Sequence, residues 1–123
     1  MRKAIRIKRI YEPPSPEDGV RILVDRLWPR GVSKEQASID EWMKDIAPSP
    51  ALRAWFGHRP ERFAEFAEKY GQELSEDPAR RELAERIAGM AVRTNVTLVY
   101  AAKDPVHNHA AVLHRWLNLD PKR

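Results

Sequence analysis

Two short segments of the sequence carry most of the side chains that could bind or transform an anionic molecule. Their members are Asp25, Arg26, Trp28, Arg30, Lys103, Asp104, Asn108 and His109. Arginine offers a planar fork that matches phosphate or carboxylate, and lysine adds a compact positive charge. Histidine exchanges a proton near neutral pH. We therefore predict an anion site in which Asp25 and His109 are the catalytic candidates, if chemistry occurs, and the other six residues bind the ligand.

For most of these residues a purely structural role is the alternative to a role in the site. The alternatives are a loop-holding ion pair for Asp25 and Arg26, a lid over the core for Trp28, and a tight turn for Arg30 and Gly31. Asp104 precedes Pro105, and this pair is typical of a helix N-cap followed by the first helical residue. Lys103 has no such alternative, because the end of a strand does not require a lysine.

Predicted strands must position the two segments. Residues 20–25 are apolar and β-branched and lead into the first segment, and the continuous apolar run of residues 96–102 leads into the second. Residues 3–10 alternate apolar and basic side chains, which predicts a further, half-buried strand. Ligands of open parallel sheets bind beyond the carboxyl ends of the strands. The two segments should therefore meet if the strands of residues 20–25 and 96–102 are neighbours.

The sequence patterns in the middle of the chain predict helices. The pattern from Ser38 to Glu41 has the form of a capping box and predicts a helix start there, with Asp40, Glu41 and Asp45 on its exposed face. The pairs at residues 49–50 and 77–78 predict two more starts, and residues 60–74, 79–91 and 112–117 carry apolar side chains at helical spacing. The predicted fold is a single α/β domain over residues 1–123. It has a small, mostly parallel sheet, flanking helices, a helical middle segment and a three-layer-like arrangement.

Composition limits the function classes. The chain has 123 residues, of which 42% are hydrophobic and 33% charged, as in a soluble globular domain. There is no cysteine, which excludes disulfides, thiolate catalysis and iron–sulfur clusters. No apolar stretch is long enough to span a bilayer, and the basic start has no signal-type apolar segment behind it. We therefore expect a cytoplasmic protein without a membrane partner.

The charge distribution leaves a second function open. Residues 1–34 hold nine basic and four acidic side chains, residues 35–91 hold eight and twelve, and residues 92–123 hold five and two. If both basic ends share one face, that face could bind nucleic acid or an acidic protein, with Arg6, Lys8 and Arg9 following a phosphate backbone. The alternative to the small anionic ligand is therefore a non-enzymatic module with a basic surface.

Several familiar sites are missing from the sequence. No P-loop, dinucleotide-binding glycine pattern or serine nucleophile elbow is present. His107 and His109 lack an obvious third metal ligand, although Asp25 and Asp104 could share a magnesium ion if they lie close together. No metal site is predicted, and the pattern does not identify a cofactor.

The two segments resemble a known family. Residues 24–34, Val-Asp-Arg-Leu-Trp-Pro-Arg-Gly-Val-Ser-Lys, closely resemble the YeaO-like branch of the bacterial domain-of-unknown-function family 488. The likeness continues at Trp42, at residues 44–49, 52–53 and 55–56, at Phe66 and Tyr70, and at residues 97–104 and 108–110. The resemblance implies a small cytoplasmic α/β domain. In the wider family the last of these stretches often resembles Cys-His-Arg. Here it is Asn-His-Ala, so thiol chemistry is not expected.

Overall fold

The computed structural model describes residues 5–119, and these residues form an α/β domain, as predicted. The strands are β1 (Ile5–Arg9), β2 (Val20–Leu23), β3 (Glu41–Trp42) and β4 (Val96–Tyr100). The helices are α1 (Lys34–Ala37), α2 (Pro50–Phe56), α3 (Phe63–Glu76), α4 (Pro78–Arg93) and α5 (His109–Leu119). Residues 1–4 and 120–123, which the predicted domain includes, lie outside the described residues. No helix in the described part combines the length and apolar character that crossing a membrane requires.

All four strands are parallel, in the order β1-β4-β2-β3. The central strand β4 pairs with β1 on one side and with β2 on the other, so that Leu98 lies between Ile7 and Ile22. Every residue of β4 is buried, which explains its uninterrupted apolar sequence. The prediction that the strands leading into the two segments are neighbours is confirmed, because β2 and β4 are adjacent.

The two faces of the sheet are covered unequally. Alternate residues such as Ile22 and Leu98 join the main core with side chains of α2 to α5, including Phe66. Leu23 and Val99 join a smaller cluster with α1 and Trp28. The alternation follows from the two-residue period of a strand, which sends successive side chains to opposite faces. The predicted three-layer-like arrangement therefore has one thick and one thin helical layer.

Local capping residues set the ends of two helices as predicted. The hydroxyl of Ser49 accepts a hydrogen bond from the backbone N–H of Leu52 at 3.2 Å and starts α2. The carboxylate of Asp77 accepts one from the N–H of Arg80 at 3.3 Å and starts α4. In both cases a proline follows the cap, where its missing N–H removes no helical hydrogen bond.

The predicted helix start at Ser38 is wrong. Ser38 ends α1 in the left-handed conformation, with φ 51°, and its N–H donates to the carbonyl of Lys34. The carboxylate of Asp40 accepts a hydrogen bond from the backbone N–H of Arg21 at 2.8 Å, and Glu41 begins β3. Asp40, Glu41 and Asp45 therefore do not share the face of one helix, because pairing of the chain with β2 replaces the capping box.

Basic side chains near the start of the chain form ion pairs and hydrogen bonds within the fold. Lys8 and Arg21 both form ion pairs with the buried Asp18, at 3.0 and 2.6 Å. Burial raises the pKa of Asp18, but the hydrogen bonds from Lys8, from the backbone of Ser15 and from Arg21 lower it more, so that it lies below the ordinary 3.8. Arg21 also donates to the carbonyl of Ala37 at the end of α1. This cluster ties β1, β2 and α1 together.

Candidate functional site

A cleft of about 810 Å³ lies beyond the carboxyl ends of β2 and β4, with α2 on its other side. Six of the eight predicted site residues line it: Asp25, Arg26, Lys103, Asp104, Asn108 and His109. The two segments therefore meet, because their strands are adjacent and parallel. The volume falls in the range of about 300–1,000 Å³ that is typical of small-molecule sites.

Asp25 and His109 form a polar pair in the cleft. Oδ2 of Asp25 accepts a hydrogen bond from the N–H of Ala101 at 3.1 Å. Nε2 of His109 lies 3.0 Å from the carbonyl oxygen of Val24 and 3.3 Å from Oδ1 of Asp25. Because a carbonyl can only accept, Nε2 carries a hydrogen, and the first of these two contacts is the hydrogen bond. Oδ1 of Asp25 is buried and has no hydrogen-bond partner.

Arg26 is held in the cleft without its full set of partners. Its Nε is buried and makes no hydrogen bond. One terminal nitrogen lies 3.8 Å from Oδ1 of Asp45, whose side chain is 72% exposed against 27% for Arg26. Within residues 5–119, two buried side-chain atoms lack a hydrogen-bond partner, Nε of Arg26 and Oδ1 of Asp25. Both belong to residues of the cleft.

Lys103 projects from a loop that is fixed from behind. Nε of Arg9 donates to the carbonyl of Ala102 at 2.9 Å, and Nη2 donates to that of Ala101 at 3.2 Å. Lys103 itself is exposed and forms no hydrogen bond or ion pair with any described residue. Its charge is therefore uncommitted, while the backbone that carries it is anchored to β1.

Asp104 and Asn108 shape the loop rather than present free polar atoms. The carboxylate of Asp104 accepts hydrogen bonds from the backbone N–H groups of Val106 and His107, and Oδ2 lies 2.8 Å from Nδ1 of His107. The backbone hydrogen bonds, with that of the ring, lower the pKa of Asp104 to about 2. Asn108 accepts from the N–H of Ala111 and so caps α5. The prediction of Asp104 as the cap is therefore wrong, since the turn that Asp104 closes precedes the helix.

The structure does not bring Trp28 and Arg30 to the cleft. Nε1 of Trp28 donates to the carbonyl of Val32 at 2.7 Å, and the ring packs edge-on against Trp42 and joins the smaller core cluster. Trp28 thus covers the core, as its structural alternative states. Arg30 is exposed in the turn with Gly31, whose φ is 79°, and does not line the cleft.

Sequence reasoning missed the wall that α2 contributes. Arg53 and His58 line the cleft, together with the apolar Ala54 and Phe56. His58 is exposed and lies at the cleft. The docking of α2 depends on the ring of Phe56 stacking on that of Phe66, with centroids 4.2 Å apart. No local pattern predicts a contact between these two positions, so the cleft role of Arg53 could not be found from the sequence.

The charges in the cleft favour anions. Arg26, Arg53 and Lys103 supply three permanent positive charges, against the carboxylates of Asp25 and Asp104. The Asp104 carboxylate is already engaged by the loop, whereas Oδ1 of Asp25 is buried and makes no hydrogen bond. Residues 5–119 contain no group of three or more histidine, aspartate or glutamate side chains that could hold a metal ion. The arrangement can bind an anion and, through Asp25 and His109, hold a proton beside it.

Comparison with known proteins agrees with the sequence resemblance. The model of the DUF488-N3i family, described as the inactive DUF488-N3 subclade, matches residues 4–123. An uncharacterised protein of Mycobacterium tuberculosis is 46% identical over 114 residues, which are 93% of each chain. The uncharacterised protein YeaO of Escherichia coli is 44% identical over 113 residues, 92% of this chain and 96% of its own. No solved structure shows a significant match. The chain therefore belongs to the inactive DUF488-N3 subclade.

Proposed function

We propose that this member of the inactive DUF488-N3 subclade binds a small anionic molecule in the cleft beyond β2 and β4. One observation carries the proposal. The buried side-chain atoms that lack a partner in the described residues, Nε of Arg26 and Oδ1 of Asp25, both belong to this cleft. A buried polar atom without a hydrogen bond costs about 1–3 kcal/mol, and a bound anion would remove that cost at the donor, Nε of Arg26.

The positively charged side chains of the cleft favour a negatively charged ligand. Neither Lys103 nor the guanidinium of Arg53 is paired with another side chain of the described residues. Arg26 has an exposed and distant partner in Asp45, at 3.8 Å. Such a contact is weak, so a ligand phosphate or carboxylate can replace it.

We further propose that binding, rather than turnover, is the role of the cleft. The family description supports this view, since it calls the subclade inactive. Asp104 and Asn108 also use their polar side-chain atoms in hydrogen bonds within the loop and at the start of α5. A second candidate is a small-molecule enzyme, which the 3.3 Å approach of Asp25 and His109 favours as an acid–base pair.

The wider basic surface is a weaker alternative. Lys8 and Arg9, two of the side chains that would follow a nucleic-acid backbone, are engaged with Asp18 and with the loop after β4. We expect the binding to take place in the cytoplasm, since a chain with no cysteine has no disulfide that would require an oxidising compartment.

The test compares variants of matched charge. Calorimetric titration with inorganic phosphate, citrate and the four nucleoside monophosphates identifies an anion that binds the wild-type chain. Arg26→Ala and Lys103→Ala should then weaken its binding by about 10- to 150-fold, the value of a charge-assisted hydrogen bond. Arg30→Ala removes the same charge from the same loop but outside the cleft, and it should change the affinity far less.

Three results would contradict the proposal. The first is that none of these anions binds, and the second is that Arg30→Ala weakens binding as much as Arg26→Ala. The third is binding of nucleic-acid probes that falls steeply with salt and is indifferent to Arg26, which would favour the basic-surface alternative. Conversion of a bound anion into product, lost in His109→Ala, would establish the enzyme.

A further inference from the structure

We infer that the ligand of this cleft is a phosphomonoester whose flat, partly apolar body carries an N–H or O–H donor, as in a nucleoside monophosphate. The inference rests on the proposed function and specifies its ligand. Three features of the cleft carry it: a fixed acceptor at Asp25, cations beside that acceptor, and an apolar lip formed by Leu27 and residues of α2.

The acceptor at Asp25 cannot turn away from the ligand. Oδ2 is held by the N–H of Ala101 at 3.1 Å, and the backbone carbonyl of Asp25 accepts a hydrogen bond from Nε1 of Trp42 at 2.7 Å. These two contacts fix both ends of the residue and leave Oδ1 buried without a hydrogen bond, 3.3 Å from Nε2 of His109, whose hydrogen is donated to the carbonyl of Val24. A carboxylate oxygen can only accept, so it repels an anionic oxygen and requires a donor. Inorganic phosphate alone would therefore leave this position unsatisfied.

The positive charges place the anionic group close to that acceptor. Arg26 follows Asp25 in the chain, and its buried Nε is a donor without a partner. Lys103 approaches from the neighbouring strand end, and Arg53 from α2. A ligand must consequently offer negative charge to these cations and a donor to Asp25, which requires a molecule with two different ends.

The apolar lip indicates what joins the two ends. Leu27 is 68% exposed although it is a large apolar residue, and it lines the cleft directly after Arg26. Ala54 and Phe56 provide apolar surface on the side of α2. The cleft volume of about 810 Å³ far exceeds that of a phosphate ion and is suited to a nucleotide-sized molecule. A flat ring between these surfaces would cover Leu27 and extend from the cations to Asp25.

The experiment separates the three features with four kinds of probe. Titrations use the four nucleoside monophosphates, phenyl phosphate, inorganic phosphate and adenosine. Phenyl phosphate has the ring and the charge but no donor on its body, and adenosine has the ring and donors but no charge. We expect at least one nucleoside monophosphate to bind about tenfold or more tighter than phenyl phosphate, the value of one hydrogen bond to a charged acceptor. Inorganic phosphate and adenosine should bind most weakly.

Asp25→Asn tests whether Asp25 causes that preference. The asparagine carbonyl can keep the hydrogen bond from Ala101, which places its NH₂ group where Oδ1 now lies. The preference for the nucleoside monophosphate over phenyl phosphate should then disappear, while phenyl phosphate still binds and shows that the cleft is intact. The control Asp45→Asn removes an equal charge outside this position, and it should keep the preference.

The inference is overturned if phenyl phosphate or inorganic phosphate binds wild-type protein as tightly as every nucleoside monophosphate, or if Asp25→Asn retains the preference. Either result would leave the anion-binding proposal standing. Loss of phenyl phosphate binding in Asp25→Asn would also overturn the inference, because Asp25 would then maintain the structure of the cleft rather than bind the ligand. If no anion binds the wild-type chain, both proposals fail.

Discussion

Replacing Asp45 by asparagine should strengthen the binding of anions at Arg26. The two charged groups lie 3.8 Å apart, and the Asp45 side chain is 72% exposed. Coulomb's law gives about 1 kcal/mol for this distance in water, and exposed ion pairs are measured at about 0.2–1 kcal/mol. A bound anion must displace this attraction. The variant should therefore bind the anion up to about fivefold more tightly.

Calorimetric titration at low and high salt measures this effect. The matched control is Glu35→Gln, which removes the same charge from α1, on the opposite side of the sheet from α2. The control should change the affinity less than Asp45→Asn does, and the gain from Asp45→Asn should shrink at high salt because the pair is screened. Weaker binding in Asp45→Asn, or a gain equal to that of the control, would refute the role of Arg26 as an anion ligand.

Two further predictions concern the titration of Asp104 and the effect of glycine substitutions on the stability of the fold. The Asp104 carboxyl should titrate in carbon-detected NMR at about pH 2, below its ordinary 3.8. The pKa is lower in the folded than in the unfolded state, so the Asp104 carboxylate stabilises the fold fully above pH 3.8 and loses this effect as the pH falls towards 2. Titration at the ordinary value would contradict the turn geometry. Gly19→Ala should destabilise the fold by more than about 2 kcal/mol in urea unfolding, because φ is +65° and a Cβ would lie 2.0 Å from the carbonyl oxygen of Asn95. Gly89→Ala, with open space in the middle of α4, should instead stabilise it by about 0.5–1 kcal/mol, and equal losses in both variants would exclude this explanation.

Local patterns predicted the parts of the fold that depend on neighbouring residues. The buried run of β4 and the caps at Ser49 and Asp77 each act within a few positions of the chain. The meeting of Asp25 and Lys103 was also predictable, because a general rule about parallel strands places both at one edge of the sheet.

The failures come from contacts between distant positions. The capping pattern at Ser38 is complete in the sequence, yet Asp40 receives a hydrogen bond from Arg21 in the neighbouring strand. Trp28 lies within the same segment as Arg26, but its indole N–H donates to the carbonyl of Val32, and the ring packs on the other face of the sheet. Arg53 joins the cleft because α2 packs on α3, which a single sequence does not reveal.

The outer strands of the sheet make poor templates for a second chain. β3 has two residues, too few to hold an added strand by main-chain hydrogen bonds. β1 is longer, but the exposed Arg6 would bring positive charges together along any pair of identical edges. The outer strands of this small parallel sheet are thereby protected against edge-to-edge aggregation, and on the β1 border Nε2 of His114 in α5 lies 2.7 Å from the carbonyl oxygen of Ile5.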